Sequence, residues 1–235
     1  MKFSPLLTSL LLCGALLSAQ EKPAAPKAAR PPSPALEKIS DVPGLPRVLL
    51  IGNSISMGYT LPVRRLLAGK INVHRIPQNG GPSKTGVANL EKWLGDGRWD
   101  VIHFNHGIHD LKIMPDGKRQ VEPAEYEKNL RAIVARLQAT GATLVFATTT
   151  PIPEGELKPA RSFGRVEEYN AIAGRVMQEN GVRLDDLNAW IAPRFDALHT
   201  PQDLHYRPEG YEFLAEKVAA EITSALKPGA AATAR

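Results

Sequence analysis

Strand-like and helix-like segments alternate along this chain, and the alternation limits the folds that it can adopt. Three continuous apolar runs are typical of strands buried on both faces of a sheet: Arg47–Gly52, Val101–Phe104 and Thr143–Ala147. Two shorter runs, Ile71–Ile76 and Val182–Leu184, are weaker strand candidates. Because a helical segment follows each strand, the pattern predicts a parallel sheet with helices as the connections.

The helical segments show the apolar spacing of amphipathic helices that cover a sheet. They are Leu61–Leu67, Val87–Leu94, Pro123–Ala139, Val166–Glu179 and Pro208–Leu226. We therefore predict an α/β fold of the flavodoxin-like type, a three-layer α/β/α sandwich with about five parallel strands. In such folds, ligands bind beyond the carboxyl ends of the strands, so reactive side chains are expected just after each strand.

The first 19 residues predict a secretory signal peptide. Lys2 supplies the positive start, Leu6–Leu17 is a short apolar run, and small residues precede a cleavage point after Ala19. A retained membrane anchor is the alternative, although the run is short for a membrane-spanning helix. A lipoprotein signal at Cys13 is disfavoured because Leu12 is not small. We expect a secreted or periplasmic protein without stable membrane insertion after cleavage.

The rest of the chain divides by composition. Residues 20–40 are rich in Pro and Ala and predict an extended linker, with prolines at 23, 26, 31, 32 and 34. Residues 41–227 form the predicted folded domain, and residues 228–235 a disordered tail. The only cysteine, Cys13, lies in the leader, so the mature chain is expected to have no disulfide and no thiol nucleophile.

The net charge of +5 is poor evidence for nucleic-acid binding. The leader and the linker carry three of these charges, and no basic stripe with interleaved aromatic residues follows. We therefore expect no nucleic-acid partner.

Two glycine-containing motifs follow the first two strand candidates. Gly52-Asn53-Ser54 places a serine at the start of a loop or helix, where a helix dipole favours developing negative charge. A serine in this place can equally serve only as a helix cap. Asn79-Gly80-Gly81 lets the backbone approach a ligand closely, although an ordinary turn has the same composition.

A third motif, from Asn105 to Asp110, follows the third strand and is rich in polar side chains. A metal site is one interpretation, because His103, His106, His109 and Asp110 are close in sequence. In an extended segment, however, His103 and His106 point to opposite faces, and no cysteine completes a ligand set. We therefore expect no metal.

A fourth motif, Asp203-Leu204-His205, precedes the last helix. A histidine held by a carboxylate is the base half of a catalytic triad, while an isolated histidine or aspartate at this place can be a surface or capping residue.

Together the four motifs resemble the SGNH (GDSL-like) hydrolase family over most of the region from Arg47 to Ile222. Gly52-Asn53-Ser54-Ile55 takes the place of the family's Gly-Asp-Ser-Leu motif. Gly81, or alternatively Gly80, fits the second-motif glycine. Gly107-Ile108-His109-Asp110 fits the third motif, usually Gly-x-Asn-Asp, and Asp203 and His205 fit the last motif.

The resemblance implies a serine esterase that needs no cofactor. Ser54 would be the nucleophile, His205 its base and Asp203 the acid. Ser54, Gly81 and His109 would form the oxyanion hole. His109 replaces the usual asparagine but retains an N–H donor, with Asn105 as an alternative. Gln202 occupies the usual position of the acid, because this chain has Asp-x-His rather than Asp-x-x-His.

The predicted substrate is a small-molecule or glycan ester, with an O-acetyl group on a carbohydrate as the expected target. Substrate contacts are expected from Asn53, Asn105 and Asp110, and a cleft could involve His74, Trp93, Trp99, Lys112 or Arg161. Two alternatives remain open: a lipase or thioesterase that uses the same site, and a non-catalytic carbohydrate-binding module that keeps the fold.

Overall fold

A computed structural model describes residues 33–226 of the chain. It contains seven strands: β1 (Arg47–Ile51), β2 (Asn72–Arg75), β3 (Val101–Phe104), β4 (Lys112–Ile113), β5 (Thr143–Ala147), β6 (Ser162–Phe163) and β7 (Arg183–Asp185). It also contains seven helices: α1 (Ser54–Leu66), α2 (Ser83–Leu94), α3 (Pro123–Gln138), α4 (Val166–Glu179), α5 (Leu187–Ile191), α6 (Phe195–Leu198) and α7 (Pro208–Ala225). All five predicted strand segments are strands.

The five longer strands form one parallel sheet in the order β2-β1-β3-β5-β7. This is the predicted flavodoxin-like topology. The chain moves from β1 outward to β2, then returns past β1 to β3, so the direction of winding reverses between β1 and β3. Loops on the two sides of this reversal diverge and leave a crevice at the carboxyl ends of the strands.

The core is divided between the two faces of the sheet, as alternation along a strand requires. In β1, Leu49 and Ile51 pack into one apolar cluster, and Val48 and Leu50 pack into the other. All four side chains are at most 2% exposed, which explains why the strand is apolar throughout rather than alternating. The first cluster is covered by α2, α3 and α4, and the second by α1, α5 and α7.

Helix α1 begins at Ser54, seven residues before the predicted start at Leu61. The early turns contain Ser56, Gly58 and Thr60, which weaken an apolar helical pattern. Tertiary packing overrides this preference, because Tyr59 and Ile55 are buried against the sheet. The nucleophile candidate therefore lies on a helix rather than in a loop.

A small antiparallel ribbon lies outside the main sheet. It pairs β4 with β6, with Lys112 opposite Phe163 and Ile113 opposite Ser162. Two-residue strands carry no periodic pattern, so sequence analysis missed the ribbon. It also missed the short helices α5 and α6.

Residues 33–40 belong to the folded unit, so the predicted linker ends earlier than position 40. A 3-10 turn at Pro34–Leu36 buries Ala35, and Arg64 Nη2 donates to the carbonyl of Glu37 at 3.1 Å. Proline-rich composition suggested an extended arm, but long-range contacts fix this part of it.

The predicted signal peptide and the tail at 228–235 lie outside the described residues. Within residues 33–226, no helix is both long and apolar enough to cross a membrane.

Candidate active site

Ser54 lies in the first turn of α1, directly beyond the carboxyl end of β1. Asn53 caps the helix, because its side-chain oxygen accepts from the backbone N–H of Ile55 at 2.9 Å. The cap is therefore Asn53, and the Ser54 hydroxyl is left available for other contacts. Gly52 is required at the turn, since a Cβ there would lie 2.6 Å from Ser56 Oγ.

The structure brings Ser54, His205 and Asp203 into one hydrogen-bonded series. Ser54 Oγ lies 2.9 Å from His205 Nε2, and His205 Nδ1 lies 3.0 Å from Asp203 Oδ1. Ser54 and His205 are 151 residues apart in sequence and meet only through the fold. Gln202 does not take the place of the acid, because the partner of the imidazole is Asp203, whereas Gln202 is exposed.

Asp203 is held as a carboxylate by the groups around it. Burial by itself would raise the pKa of Asp203, but the charge and hydrogen bond of His205 outweigh burial. The backbone N–H of Leu204 donates to Oδ1 at 2.7 Å, and Arg161 Nη2 donates to the same atom at 3.0 Å. The net result is a pKa of Asp203 below its usual value, so the carboxylate is charged wherever the neighbouring imidazole is.

The two glycines after β2 have different backbone partners. Gly80 N–H donates to the carbonyl of Gly52 at 2.9 Å, so it is not free for a ligand. Gly81 has φ of +61°, and its N–H donates to Asn79 Oδ1 at 2.9 Å. Both N–H groups have acceptors, but the acceptor of Gly81 is an exposed side chain that can rotate away, whereas that of Gly80 is backbone. Gly81 is therefore the candidate oxyanion donor of this pair.

His109 lines the same cavity as Ser54. Burial lowers the pKa of His109, and the charges of Lys112, Arg161 and His205 lower it further. The ring is thereby kept neutral, with one N–H to donate. Across the described part of the chain, the ring makes no hydrogen bond to another residue, so its donor is not committed elsewhere.

The three side chains predicted to contact the substrate, Asn53, Asn105 and Asp110, are buried and have partners within the protein. Asn105 Nδ2 donates to the carbonyl of Ala147 at 2.8 Å, and its Oδ1 accepts from Asn53 Nδ2 at 3.0 Å. Asp110 has no exposed surface. All three side chains hold loops together beneath the site, because polar groups this deeply buried need internal partners.

Asp110 links the third motif to the start of α2. Its Oδ1 accepts from the backbone N–H of Ser83 at 2.7 Å, whereas Oδ2 is buried without a partner. Burial raises the pKa of Asp110 to about 7, although the hydrogen bonds from Ser83 oppose the shift.

Sequence analysis missed Arg75, which supports the nucleophile loop from below. Arg75 ends β2, is 9% exposed, and donates from Nη2 to the carbonyls of Gly52 and Asn53 at 2.8 and 3.1 Å. Its Nη1 donates to Ser56 Oγ at 2.6 Å. Burial lowers the pKa of Arg75 to about 10, so the side chain remains a cation beneath the start of α1. An arginine at the end of a short strand gives no sequence signal of this role.

His106 supports the Gly81 turn in a similar way. Its Nδ1 lies 3.3 Å from the carbonyl of Gly81, and its ring is buried. Burial lowers the pKa of His106 to about 4, so the ring is neutral and Nδ1–H donates to that carbonyl. The Tyr126 hydroxyl in turn donates to the His106 carbonyl at 2.8 Å.

A cavity of about 80 Å³ opens beside Ser54. Its wall is formed by residues of α1, the third motif, the ribbon and the last motif: Ser54, Ile55, Ile108, His109, Lys112, Arg161, Phe163 and Leu204. Two of the suggested cleft residues, Lys112 and Arg161, are therefore at the site. The other three do not line this cavity: Trp93 is in the core, and His74 and Trp99 pack on each other.

His103, the histidine within β3, is buried away from the site and is hydrogen-bonded inside the protein. His103 is fully buried, and its Nε2 lies 2.9 Å from Asp185 Oδ2. Within the part of the chain that the structure describes, no three residues of the types His, Cys, Asp and Glu are grouped to hold a metal ion.

A family model matches most of the described part of the chain. Residues 50–213 match the model of the GDSL-like lipase/acylhydrolase family. Comparison with curated proteins gives no significant match.

Solved structures share the fold at low sequence identity. A lipase/acylhydrolase from Enterococcus faecalis superposes with a TM-score of 0.67 and 22% identity, covering 78% of this chain and 98% of its own. The acetyl xylan esterase AlAXEase gives 0.64 and 18%, covering 75% and 99%. The acetylxylan esterase Axe2 from Geobacillus stearothermophilus gives 0.61 and 20%, covering 75% and 94%.

Proposed function

The chain belongs to the GDSL-like lipase/acylhydrolase family and is an ester-hydrolysing serine hydrolase. We propose that Ser54 is its nucleophile and that its substrate is an O-acetylated carbohydrate. The observation that carries the assignment of the nucleophile is the hydrogen-bonded series of Ser54, His205 and Asp203 at the carboxyl end of the sheet. An exported enzyme fits the apolar leader at Leu6–Leu17, and we include secretion or periplasmic location in the proposal.

The general base is His205. Asp203 accepts from Nδ1–H, which fixes the tautomer whose free Nε2 faces Ser54 Oγ. As the hydroxyl attacks the ester carbonyl, Nε2 takes its proton, and the same proton then passes to the departing alcohol. Water repeats the sequence on the acyl-enzyme and releases the acid. Asp203 orients the ring and stabilises its cation.

The negative charge on the carbonyl oxygen needs donors in fixed positions. The N–H of Ser54 is in the first turn of α1, where no helical acceptor is available, and the helix dipole favours an anion there. Gly81 N–H and the neutral ring of His109 complete the set that we propose. Loss of one such donor typically raises the barrier by about 3–4 kcal/mol.

The dimensions of the site favour a small acyl group. The cavity beside Ser54 holds about 80 Å³, whereas a larger apolar cavity of about 500 Å³ involves Leu66 and Leu67 at the other end of α1. A helix of this length separates the two ends by about 18 Å, so that cavity does not serve an acyl chain on Ser54. The names of AlAXEase and Axe2 as acetylxylan esterases support an acetyl ester.

Labelling with a fluorophosphonate, followed by peptide mapping, tests the nucleophile. Ser54 should be modified in the folded protein and not after heat denaturation, because reactivity depends on His205. Ser54→Ala should abolish both labelling and hydrolysis of 4-nitrophenyl acetate. Ser162→Ala, an exposed serine on β6, is the matched control and should keep both. Labelling elsewhere, or none, contradicts the assignment and favours a non-catalytic module.

Acyl-chain profiling tests the substrate class. We expect kcat/KM to fall from 4-nitrophenyl acetate to the butyrate and octanoate, and acetate to be released from acetylated xylan or another acetylated glycan. A preference for octanoate would instead support the lipase or thioesterase alternative.

A further inference from the structure

We infer that the sugar carrying the acetyl group also carries a carboxylate, and that Lys112 and Arg161 bind this carboxylate beside the catalytic serine. The substrate class is then an O-acetylated acidic sugar, such as a uronic acid. The inference rests on the proposed function, since it takes the acyl group to be acetyl and so places the charge in the alcohol part.

Both cations come from the ribbon. Lys112 begins β4, and Arg161 directly precedes β6, whose Phe163 is opposite Lys112. All three side chains line the 80 Å³ cavity that contains Ser54. The ribbon therefore adds two positive groups to one side of an otherwise simple α/β site.

The charge of this cavity is not balanced by the protein. Among residues 33–226, no carboxylate lies within ion-pair distance of Lys112, although Lys112 and Arg161 are only partly exposed. Arg161 makes its one described ion pair with Asp203, and its Nε is buried without a partner. Asp203 is already shared with His205, so a net positive charge remains at the cavity.

The effect of these charges reaches the site itself. Burial is the largest cause of the lowered pKa of His109, and the other causes are the positive charges of Lys112, Arg161 and His205. No carboxylate opposes them at that ring. A bound anion would balance the field, and partly buried cations discriminate strongly in favour of a ligand of opposite charge.

The rest of the cavity wall suits the acetyl group and the edge of the sugar next to it, while the remainder of the sugar lies outside the 80 Å³ volume. Ile108 and Leu204 are buried apolar residues of its wall, and Phe163 adds an aromatic ring. Small-molecule sites combine such apolar walls with a few polar groups that fix orientation. Here the polar groups are the cations Lys112 and Arg161, so the site is expected to prefer sugars that carry a negative charge.

The experiment compares two substrates that carry the same acetyl group and differ in charge at the sugar carboxyl: a mono-O-acetylated methyl galacturonide and its methyl ester. Released acetate gives kcat/KM for each. We expect wild-type protein to prefer the acid by about five- to tenfold, the effect of one charge pair at a partly shielded site, and the preference to decline with added salt. Lys112→Met should remove most of the preference, and Lys112→Glu should reverse it. Lys118→Met is the matched control, because Lys118 is an exposed lysine beyond the same strand, and it should keep the preference.

Three results would overturn the inference. Equal kcat/KM for the two substrates, or a preference for the methyl ester, excludes a carboxylate site. An equal loss for both substrates in Lys112→Met shows that the lysine acts on the oxyanion instead. In each case, continued hydrolysis of 4-nitrophenyl acetate at Ser54 leaves the proposed esterase intact, whereas its absence in wild-type protein defeats the esterase proposal and this inference together.

Discussion

At the scale of single residues, this site matches the family motifs at Ser54 and His205 and departs from them at His109. Ser54 and His205 occupy the expected motifs, whereas His109 occupies the position where the family usually has asparagine. The geometry makes the exchange chemically reasonable, because the ring lines the cavity and is kept neutral by burial and by neighbouring cations. A neutral imidazole and a carboxamide each offer an N–H donor.

Substitution of His109 tests its role as an oxyanion donor. His109→Ala should lower kcat for 4-nitrophenyl acetate by about 10²–10³-fold, because one donor is lost from the transition state. His109→Asn should retain activity to within about tenfold of the wild type. The control is His74→Asn, which should be fully active because His74 does not line the cavity. Full activity of His109→Ala would show that the ring is not a donor.

Asp110 makes stability depend on pH. Burial raises its pKa from 3.8 to about 7, so folding favours the protonated carboxyl. Its contribution to stability is therefore fully present below the unfolded pKa and is lost as the pH rises through about 7. Asp110→Asn keeps an oxygen for Ser83 N–H and removes the ionisation.

The free energy of unfolding, measured by denaturant titration from pH 4 to 8, checks this assignment. The difference between Asp110→Asn and wild type should shift in favour of the variant by up to about 4 kcal/mol over that range. Asp96→Asn, an exposed aspartate, should track the wild type. A constant difference between Asp110→Asn and wild type would contradict the assignment.

At the level of elements, the close packing of α1 on α7 brings the two halves of the triad together. Ser54 is in the first turn of α1, and His205 lies three residues before the start of α7. Gly58 allows the approach, since a Cβ at that position would lie 2.0 Å from the ring of Tyr211 on α7. That ring packs edge-on against Tyr206 at 5.8 Å, so it has little room to withdraw.

Gly58→Ala should therefore separate α1 from α7. We expect a loss of about 1–3 kcal/mol in the free energy of unfolding from overpacking, together with a lower kcat as Ser54 moves from His205. Gly174→Ala is the matched control, because Gly174 is also helical but has open space around its Cβ position. That variant should gain about 0.5–1 kcal/mol, the difference in helix propensity, and keep its activity. If Gly58→Ala kept the stability and kcat of the wild type, the Tyr211 ring would have moved aside and the prediction would be wrong.

At the level of the whole molecule, the folded unit begins before the boundary at Asp41 that composition suggests. The buried side chain of Ala35 and the bond from Arg64 to Glu37 connect residues 33–40 to α1. The carboxyl ends of the strands, where the site lies, depend on α1 keeping its position on the sheet.

A pair of truncations tests this boundary. A chain that starts at Asp41 should be less stable than one that starts at Ser33, by about 1–3 kcal/mol, because it loses a buried side chain and a charged hydrogen bond. Thermal unfolding of the two proteins gives the comparison. Equal melting temperatures would show that residues 33–40 do not stabilise the folded unit.

The sequence by itself determined the fold class, the five strands of the main sheet and the position of Ser54 after β1. These features have local signals: apolar runs, helical spacing and short motifs are readable without knowledge of distant contacts. The bounds of β3, β5 and α4 were predicted to the residue, because polar or glycine residues interrupt the apolar pattern close to their ends.

Only the tertiary structure decided what surrounds the serine. It placed Asp203 rather than Gln202 against His205, buried Arg75 beneath the nucleophile loop, and brought Lys112 and Arg161 to the cavity through a ribbon of two-residue strands. It also buried Asp110 against the start of α2. Each of these results depends on contacts between residues that are distant in sequence or on burial, and neither leaves a periodic signal in the chain.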